Sequence, residues 1–439
     1  MIPYPAYKST NLPWLPQIPE HWDVVKIKYA FKERVEKGYP EEPLLAATQN
    51  HGVIPKSLYE TRTVTAQKDL HLLKLVRVGD FVISLRSFQG GIEYAYYQGI
   101  ISPAYTIMVP STPQLNPKFF KYLAKSKTMI KLLQTCVTGI REGQNIDYET
   151  LKRNSIPVLP LAEQEQIVRY LDSMTAKINK LIRAKKKQIN TKRELLELYL
   201  FSGKGDTTLL GQWDKCFPEN WNKQKASRLF LERNAKGFRD KELLAVTQDM
   251  GVVYKKDCSQ RFVKPSDTVT QKLVCPYDFI ISLRAFQGGI ETSFLEGVVS
   301  PAYSVFYLRE ESPLLETYYQ YLFKSPFFVN YLNSLVCDIR DGKKISFDSF
   351  KDTILPIPPQ NHLVRIKKLA DELVLLNKQL KKMTLLLQEY KNSLISSVVT
   401  GQADVRNIPV EDVIPDDLIP EDDPTAEIDE VPTTEESEE

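Results

Sequence analysis

Phe81–Glu93 reads F-V-I-S-L-R-S-F-Q-G-G-I-E and Phe279–Glu291 reads F-I-I-S-L-R-A-F-Q-G-G-I-E, so that only two of thirteen aligned positions differ. Working outward, Leu44-Leu45-Ala46-Ala47-Thr48-Gln49 returns as Leu243-Leu244-Ala245-Val246-Thr247-Gln248, and Ser102-Pro103-Ala104-Tyr105 as Ser300-Pro301-Ala302-Tyr303. Ile18-Pro19-Glu20-His21-Trp22 answers Phe217-Pro218-Glu219-Asn220-Trp221, with the offset held at 198 or 199 throughout. Two copies of one unit make up nearly the whole chain, so one fold is specified twice.

Each copy begins with a globular part that mixes β-branched and aromatic runs (Phe81–Leu85, Ala104–Val109) with helical stretches such as Lys118–Gln134. It closes on Ile156-Pro157-Val158-Leu159-Pro160 in the first copy and Leu355-Pro356-Ile357-Pro358-Pro359 in the second. Some forty Pro-free residues follow each time, a helix of about 60 Å at a rise of 1.5 Å per residue. Both stop near glycine, at Ser202-Gly203 and Thr400-Gly401.

The second helix carries a three-four stripe, Ile366, Leu369, Leu373, Leu376, Leu380, Met383, Leu387, Tyr390 and Leu394. The first offers a rougher one, Leu171, Ile178, Ile182, Ile189, Leu196 and Tyr199, broken by Lys185 and Lys192. Each stripe needs a partner, and antiparallel pairing of the two is the economical solution. The expectation is an α+β chain: two homologous mixed α/β domains separated by two long antiparallel helices in a coiled coil, with pseudo-two-fold symmetry. Duplex DNA shares that symmetry, so two such domains would meet opposite strands at separated sites.

Apolar residues make up 42% of the 439, enough to bury a core, and no apolar run reaches the roughly 18 residues that span a bilayer. The opening Met1-Ile2-Pro3-Tyr4-Pro5 has no export-signal character, and five scattered cysteines (Cys136, Cys216, Cys258, Cys275, Cys337) form no C-x-x-C; a cytoplasmic, non-membrane protein is expected. The net charge of +3 hides an asymmetry, because residues 411–439 hold fourteen acidic and no basic residues. The remaining body carries 58 basic against 41 acidic residues, which favours a polyanionic partner, double-stranded DNA first. The Pro-punctuated tail reads as disordered, either solubilising or a DNA mimic competing for the basic body.

These pieces resemble, in order, the specificity subunit of type I restriction-modification systems. Tyr7-Lys8-Ser9 through Trp14-Leu15 to Ile18–Trp22 is similar to that family's opening, Pro160-Leu161-Ala162-Glu163-Gln164 to its Pro-Leu-x-x-Glu-Gln junction, and Val399-Thr400-Gly401 with Asp404-Val405-Arg406 to its ending. The second junction departs, with His362 and Leu363 standing where Glu163 and Gln164 do, and the acidic tail is outside the family pattern. The resemblance implies target-recognition domain 1 over residues 1–160, a central long helix over 161–203, target-recognition domain 2 over 204–358 and a C-terminal long helix over 359–401, to which composition adds an acidic disordered tail over 402–439. It further implies a bipartite target with a fixed nonspecific spacer, two modification (methyltransferase) subunits as partners, and restriction (motor-nuclease) subunits for cleavage. Glu163 and Gln164 are the expected partner-binding residues. S-adenosylmethionine, ATP and Mg would be bound by the partners and none by this chain.

No Asn/Asp-Pro-Pro-Tyr/Phe loop is present, and Ser202-Gly203-Lys204-Gly205 lacks the spacing of a phosphate loop. The four histidines, His21, His51, His71 and His362, have no metal-ligand spacing. A non-catalytic chain is therefore expected.

Base reading in the major groove favours Arg on guanine and Gln or Asn on adenine. The candidates are Arg86 and Gln89 with their repeats Arg284 and Gln287, beside a Gly-Gly that permits close approach. The alternative for Arg86 is a structural pairing with a carboxylate such as Glu93. A second group lies in the polar loop Arg141, Gln144 and Asn145, matched by Arg340, Lys343 and Lys344. Thr48-Gln49 and Thr247-Gln248 form a third, followed by the differing pairs Asn50-His51 and Asp249-Met250. The basic run Arg183, Lys185, Lys186, Lys187, Lys192, Arg193 reads as a solvated face or a phosphate track, and the aromatic stripes Phe119, Phe120, Tyr122 and Tyr318, Tyr319, Tyr321 as core. Two other function classes stay open on the residues alone, a coiled-coil scaffold and a stand-alone DNA-binding repressor.

Overall fold

The computed structural model describes residues 2–49, 51–58, 69–139, 145–201, 213, 216–248, 250–258, 269–283, 285–334, 337–339, 342–411 and 413, with the backbone alone at 286, 337–339 and 342–344. It divides into two compact units, Met1–Lys185 with Leu380–Glu439, and Lys186–Gln379.

In unit 1 the strands Phe31–Arg34, Thr106–Pro110, Phe81–Ile83 and Glu93–Tyr94 lie side by side in that order as an antiparallel sheet. In unit 2 the same order is kept by Phe230–Glu232, Ser304–Leu308, Phe279–Ile281 and Glu291–Thr292. Alternation places Phe81 and Met108 on the face that packs with Phe31 and Phe120, whose rings lie 4.5 Å apart, and sends Val82 and Ile107 to a second cluster on the other face. Where unit 1 has Met108, unit 2 has Phe306, which joins Phe230, Phe279 and Phe323 in a denser aromatic core.

The helical stretch Lys118–Gln134 is two helices, Pro117–Ala124 and Lys127–Thr135. The buried Ser126 separates them, its hydroxyl accepting a hydrogen bond from the Met129 amide as an N-cap. Unit 2 breaks at the equivalent Ser325, and Pro326 then opens the helix Pro326–Ser334. Phe119, Phe120, Tyr122, Tyr318 and Tyr319 are buried as core, while Tyr321 is half-buried.

Two helices of 40 residues, Leu161–Leu200 and Gln360–Val399, each contribute to both units. Within unit 1 the start of the first packs with the end of the second, Ile167, Val168 and Leu171 sharing a core with Leu394, Ile395, Val398 and Val399. Within unit 2 the end of the first meets the start of the second: Lys192 pairs with Glu372, and the Arg365 guanidinium lies 4.6 Å over the Tyr199 ring. The pairing is antiparallel in both. The stripe is buried toward its ends, at Ile366, Leu369, Leu373, Leu376 and Leu394, while Tyr390 stays exposed. Among the described residues no helix is long and apolar enough to cross a membrane.

Beyond the second helix the chain folds back on unit 1. Gly401 has φ +75°, and a Cβ there would fall 2.3 Å from Pro19 Cδ, so only glycine fits. The Asp404 amide donates to Ile2 O at 2.9 Å, and Gln166 Nε2 donates to the carbonyls of Val405 and Ile408.

Candidate nucleic-acid interface

In unit 1 a hairpin joins Leu45–Thr48 to Gly52–Pro55, with Thr48 opposite Gly52. Thr48 is buried; its hydroxyl donates to Gly52 O at 2.9 Å and accepts from the His51 amide at 3.1 Å. Unit 2 repeats this turn, Thr247 Oγ1 donating to Gly251 O at 3.0 Å and accepting from the Met250 amide at 3.1 Å. The two threonines therefore lock the turn, and they hold the amides of His51 and Met250 at its tip.

Arg86 sits half-buried just ahead of the short helix Ser87–Gly90, on which Gln89 is exposed. Gly90 lies against Gln49, where an added Cβ would come 2.7 Å from Cδ; Gly91, at φ +86°, has Ala124 O only 2.4 Å from its own missing Cβ. Gly288 packs in the same way on Gln248, and Gly289 on Phe323 O. The Gly-Gly pair thus permits a close approach on two sides at once. Two groups that are forty residues apart in sequence, Thr48-Gln49 and Arg86-Gln89, become neighbours on one rim, and Gln248 and Gln287 are exposed on its counterpart.

The rim is pinned by a lysine that the sequence reading passed over. Lys125 Nζ donates to Gln49 O at 3.1 Å and Gly90 O at 3.0 Å, and pairs with the buried Glu93. Lys324 pairs with Glu291 in unit 2, where burial pushes the Glu291 carboxyl up and the ammonium opposes that shift. The signal was available, because Lys125-Ser126 returns as Lys324-Ser325 at the common offset. A second repeated ion pair, Arg34 with Asp80 and Arg233 with Asp278, links the end of the first strand of each sheet to the residue ahead of the third, across the strand between them.

Asn145 is exposed at the start of the strand Asn145–Ile146, its side chain accepting from the Ile146 amide at 2.8 Å. Arg141, Gln144, Arg284 and Arg340 lie outside the described residues, as does the acidic tail beyond 413. Lys343 and Lys344 are described only as backbone in the strand Gly342–Lys344, paired with Cys337–Ile339. In the basic run, Lys187 and Arg193 are exposed.

The first helix start is an internal junction. Glu163 accepts hydrogen bonds from Tyr4 OH at 2.6 Å and Trp22 Nε1 at 3.0 Å, and its second oxygen lies 2.8 Å from His21 Nε2. Gln164, fully buried, donates to Leu159 O and Gln114 O and accepts from the Asn116 amide. Both side chains point into unit 1, so they hold the helix to its domain. At the second start, His362 takes the position of Glu163: its ring lies 4.9 Å from that of Trp221, the counterpart of Trp22, and its Nε2 is 2.7 Å from Tyr199 O. A ring contact and a carbonyl replace the three-donor carboxylate.

The architecture is that of a twice-built recognition domain carried on paired helices. Residues 20–191 match the family described as Type I restriction modification DNA specificity domain. A solved structure described as "Structural basis underlying complex assembly and conformational transition of the type I R-M system" overlaps at a TM-score of 0.58 and 14% identity, covering 88% of this chain and 99% of that one. The HsdS subunit from Thermoanaerobacter tengcongensis (TM-score 0.45, 13% identity, 88% and 98% covered) and the type I S subunit from M. genitalium (TM-score 0.37, 14%, 91% and 99%) match more loosely. The family match is thus to a DNA specificity domain within the first copy, and the structure at a TM-score of 0.58 shares the fold of this chain.

Proposed function

We propose that each unit reads one short half of a bipartite double-stranded DNA target, and that the helices common to both fix the nonspecific gap. The observation that carries this is the duplicated rim, in which the same Thr-Gln turn, exposed Gln and Gly-Gly helix recur in both units. The basic excess of the body supports a phosphate-bearing partner. Because the units are so alike, the half-sites are expected to be related and roughly inverted.

The chain acts by binding and not by catalysis. It recruits two modification subunits, which bring S-adenosylmethionine, and restriction subunits, which bring ATP and Mg. Apolar side chains left exposed on the long helices, Leu181, Leu198, Val374, Leu375, Leu385 and Leu386, are the surface we assign to these subunits.

The test is selection of bound duplexes from a random library by the chain assembled with its modification subunits. Two conserved blocks at a constant separation are expected, with affinity falling steeply as salt rises. A single block, or blocks at variable separation, refutes the bipartite reading; no sequence preference and a flat salt response would favour a protein scaffold.

A further inference from the structure

The two rims share a frame and differ at its tip. In both, the turn-locking threonine, the adjoining glutamine and the closing glycine are the same residues, with Gly52 at φ +73° and Gly251 at φ +70°. The same amide is held by the same hydroxyl at the same 3.1 Å, yet in unit 1 it belongs to His51 and in unit 2 to Met250. The unit 1 frame leaves little room to shift: a Cβ on Gly52 would fall 2.6 Å from Tyr94 O, and Gln49 lies against Gly90. A rigid frame with a changed tip places two different chemistries at one location.

Those chemistries are distinct. An imidazole presents an N–H donor in either protonation state and suits the N7 or O6 acceptors of guanine in the major groove. Met250 is a thioether, and its own unit leaves it 55% exposed on a polar rim. Such a side chain suits an apolar edge, and the C5-methyl of thymine is the one the major groove offers.

We propose that the hairpin-tip residue is a specificity determinant, His51 selecting guanine in one half-site and Met250 selecting thymine at the corresponding position of the other. This rests on the DNA-reading function proposed above. Threonine and glutamine at the base of the turn contribute equally to both units and so cannot distinguish them.

The experiment maps methylated sites, or selects bound duplexes, with the chain in complex with its modification subunits, comparing the unvaried chain with His51→Met and Met250→His. His51→Met should change one position of one half-site, shifting its guanine-to-thymine preference by about tenfold, as one base contact warrants. Met250→His should make the reciprocal change in the other half-site, and it serves as the second arm if the first variant folds poorly. Half-sites unchanged in both variants, or a change at the same half-site in both, overturns the proposal while leaving the DNA-reading function intact. A complex that shows no sequence preference even when unvaried removes that function, and this inference with it.

Discussion

A single carboxylate holds the first helix to its domain, and its removal should be felt out of proportion to its size. Glu163 satisfies Tyr4, Trp22 and His21 together, so Glu163→Ala leaves buried donors without an acceptor and should cost about 2–4 kcal/mol in denaturant unfolding. Glu163→Gln, which keeps one acceptor oxygen, should lose less; equal losses in the two variants would show that the hydrogen bonds are not the cause. Gly91 permits a comparison of a different kind. Gly91→Ala meets both a positive φ and the Ala124 carbonyl and should cost roughly 2–4 kcal/mol, whereas Gly38→Ala, at φ +91° with nothing within 4 Å, should cost only about 1 kcal/mol. Glu291 has a pH signature. Burial raises its carboxyl, so the folded protein holds that proton more tightly than the unfolded chain, and the group's contribution to stability falls as pH rises above its ordinary value of 4.5. Melting temperatures of the wild type and Glu291→Gln should therefore move in favour of the variant between pH 4.5 and neutrality, and parallel curves would contradict that assignment.

Among the elements, the long helices were the most open to sequence reading, because a Pro-free span with three-four apolar spacing admits one solution, and they run over the spans that pattern marks. The break at Ser126 was not read. A serine in a helical stretch gives no sign from spacing alone that its hydroxyl caps a new helix, and only the copy with Pro326 makes the stop explicit. The candidate rim was half visible. Repetition singled out Thr48, Gln49, Arg86 and Gln89, but residues identical in two copies are framework and reader alike, and only packing shows that Thr48 faces inward while Gln89 faces out. Glu163 and Gln164 illustrate the same ambiguity, since a motif kept for internal hydrogen bonds is indistinguishable in sequence from one kept for a partner. The proposed partner surface is formed instead by the exposed side chains of the same helices. Leu385→Asp with Leu386→Asp should abolish co-purification of the modification subunits while leaving the melting temperature within a degree or two, because both residues are more than half exposed. Unchanged co-purification would move the docking surface elsewhere.

For the molecule as a whole, the proposed function gives one half-site to each copy of the duplicated unit and leaves the helices common to both to set the gap. Each helix contributes residues to both units without interruption, so its length cannot change without altering what joins them. Removing one heptad from the middle of each keeps the apolar stripes in phase, because the seam repeats every 3.5 residues, and shortens each helix by about 10 Å. At 3.4 Å per base pair this is about three base pairs, so the shortened chain, in complex with its modification subunits, should select the same two half-sites with the gap reduced by about that number. Removing a heptad from only one helix puts the stripes out of register and should destabilise the fold instead of resetting the gap. Both outcomes are read by the same selection and a thermal melt. If the doubly shortened chain keeps the original gap, the separation is set by the partner subunits or by the DNA itself, and the helices serve only as their docking surface.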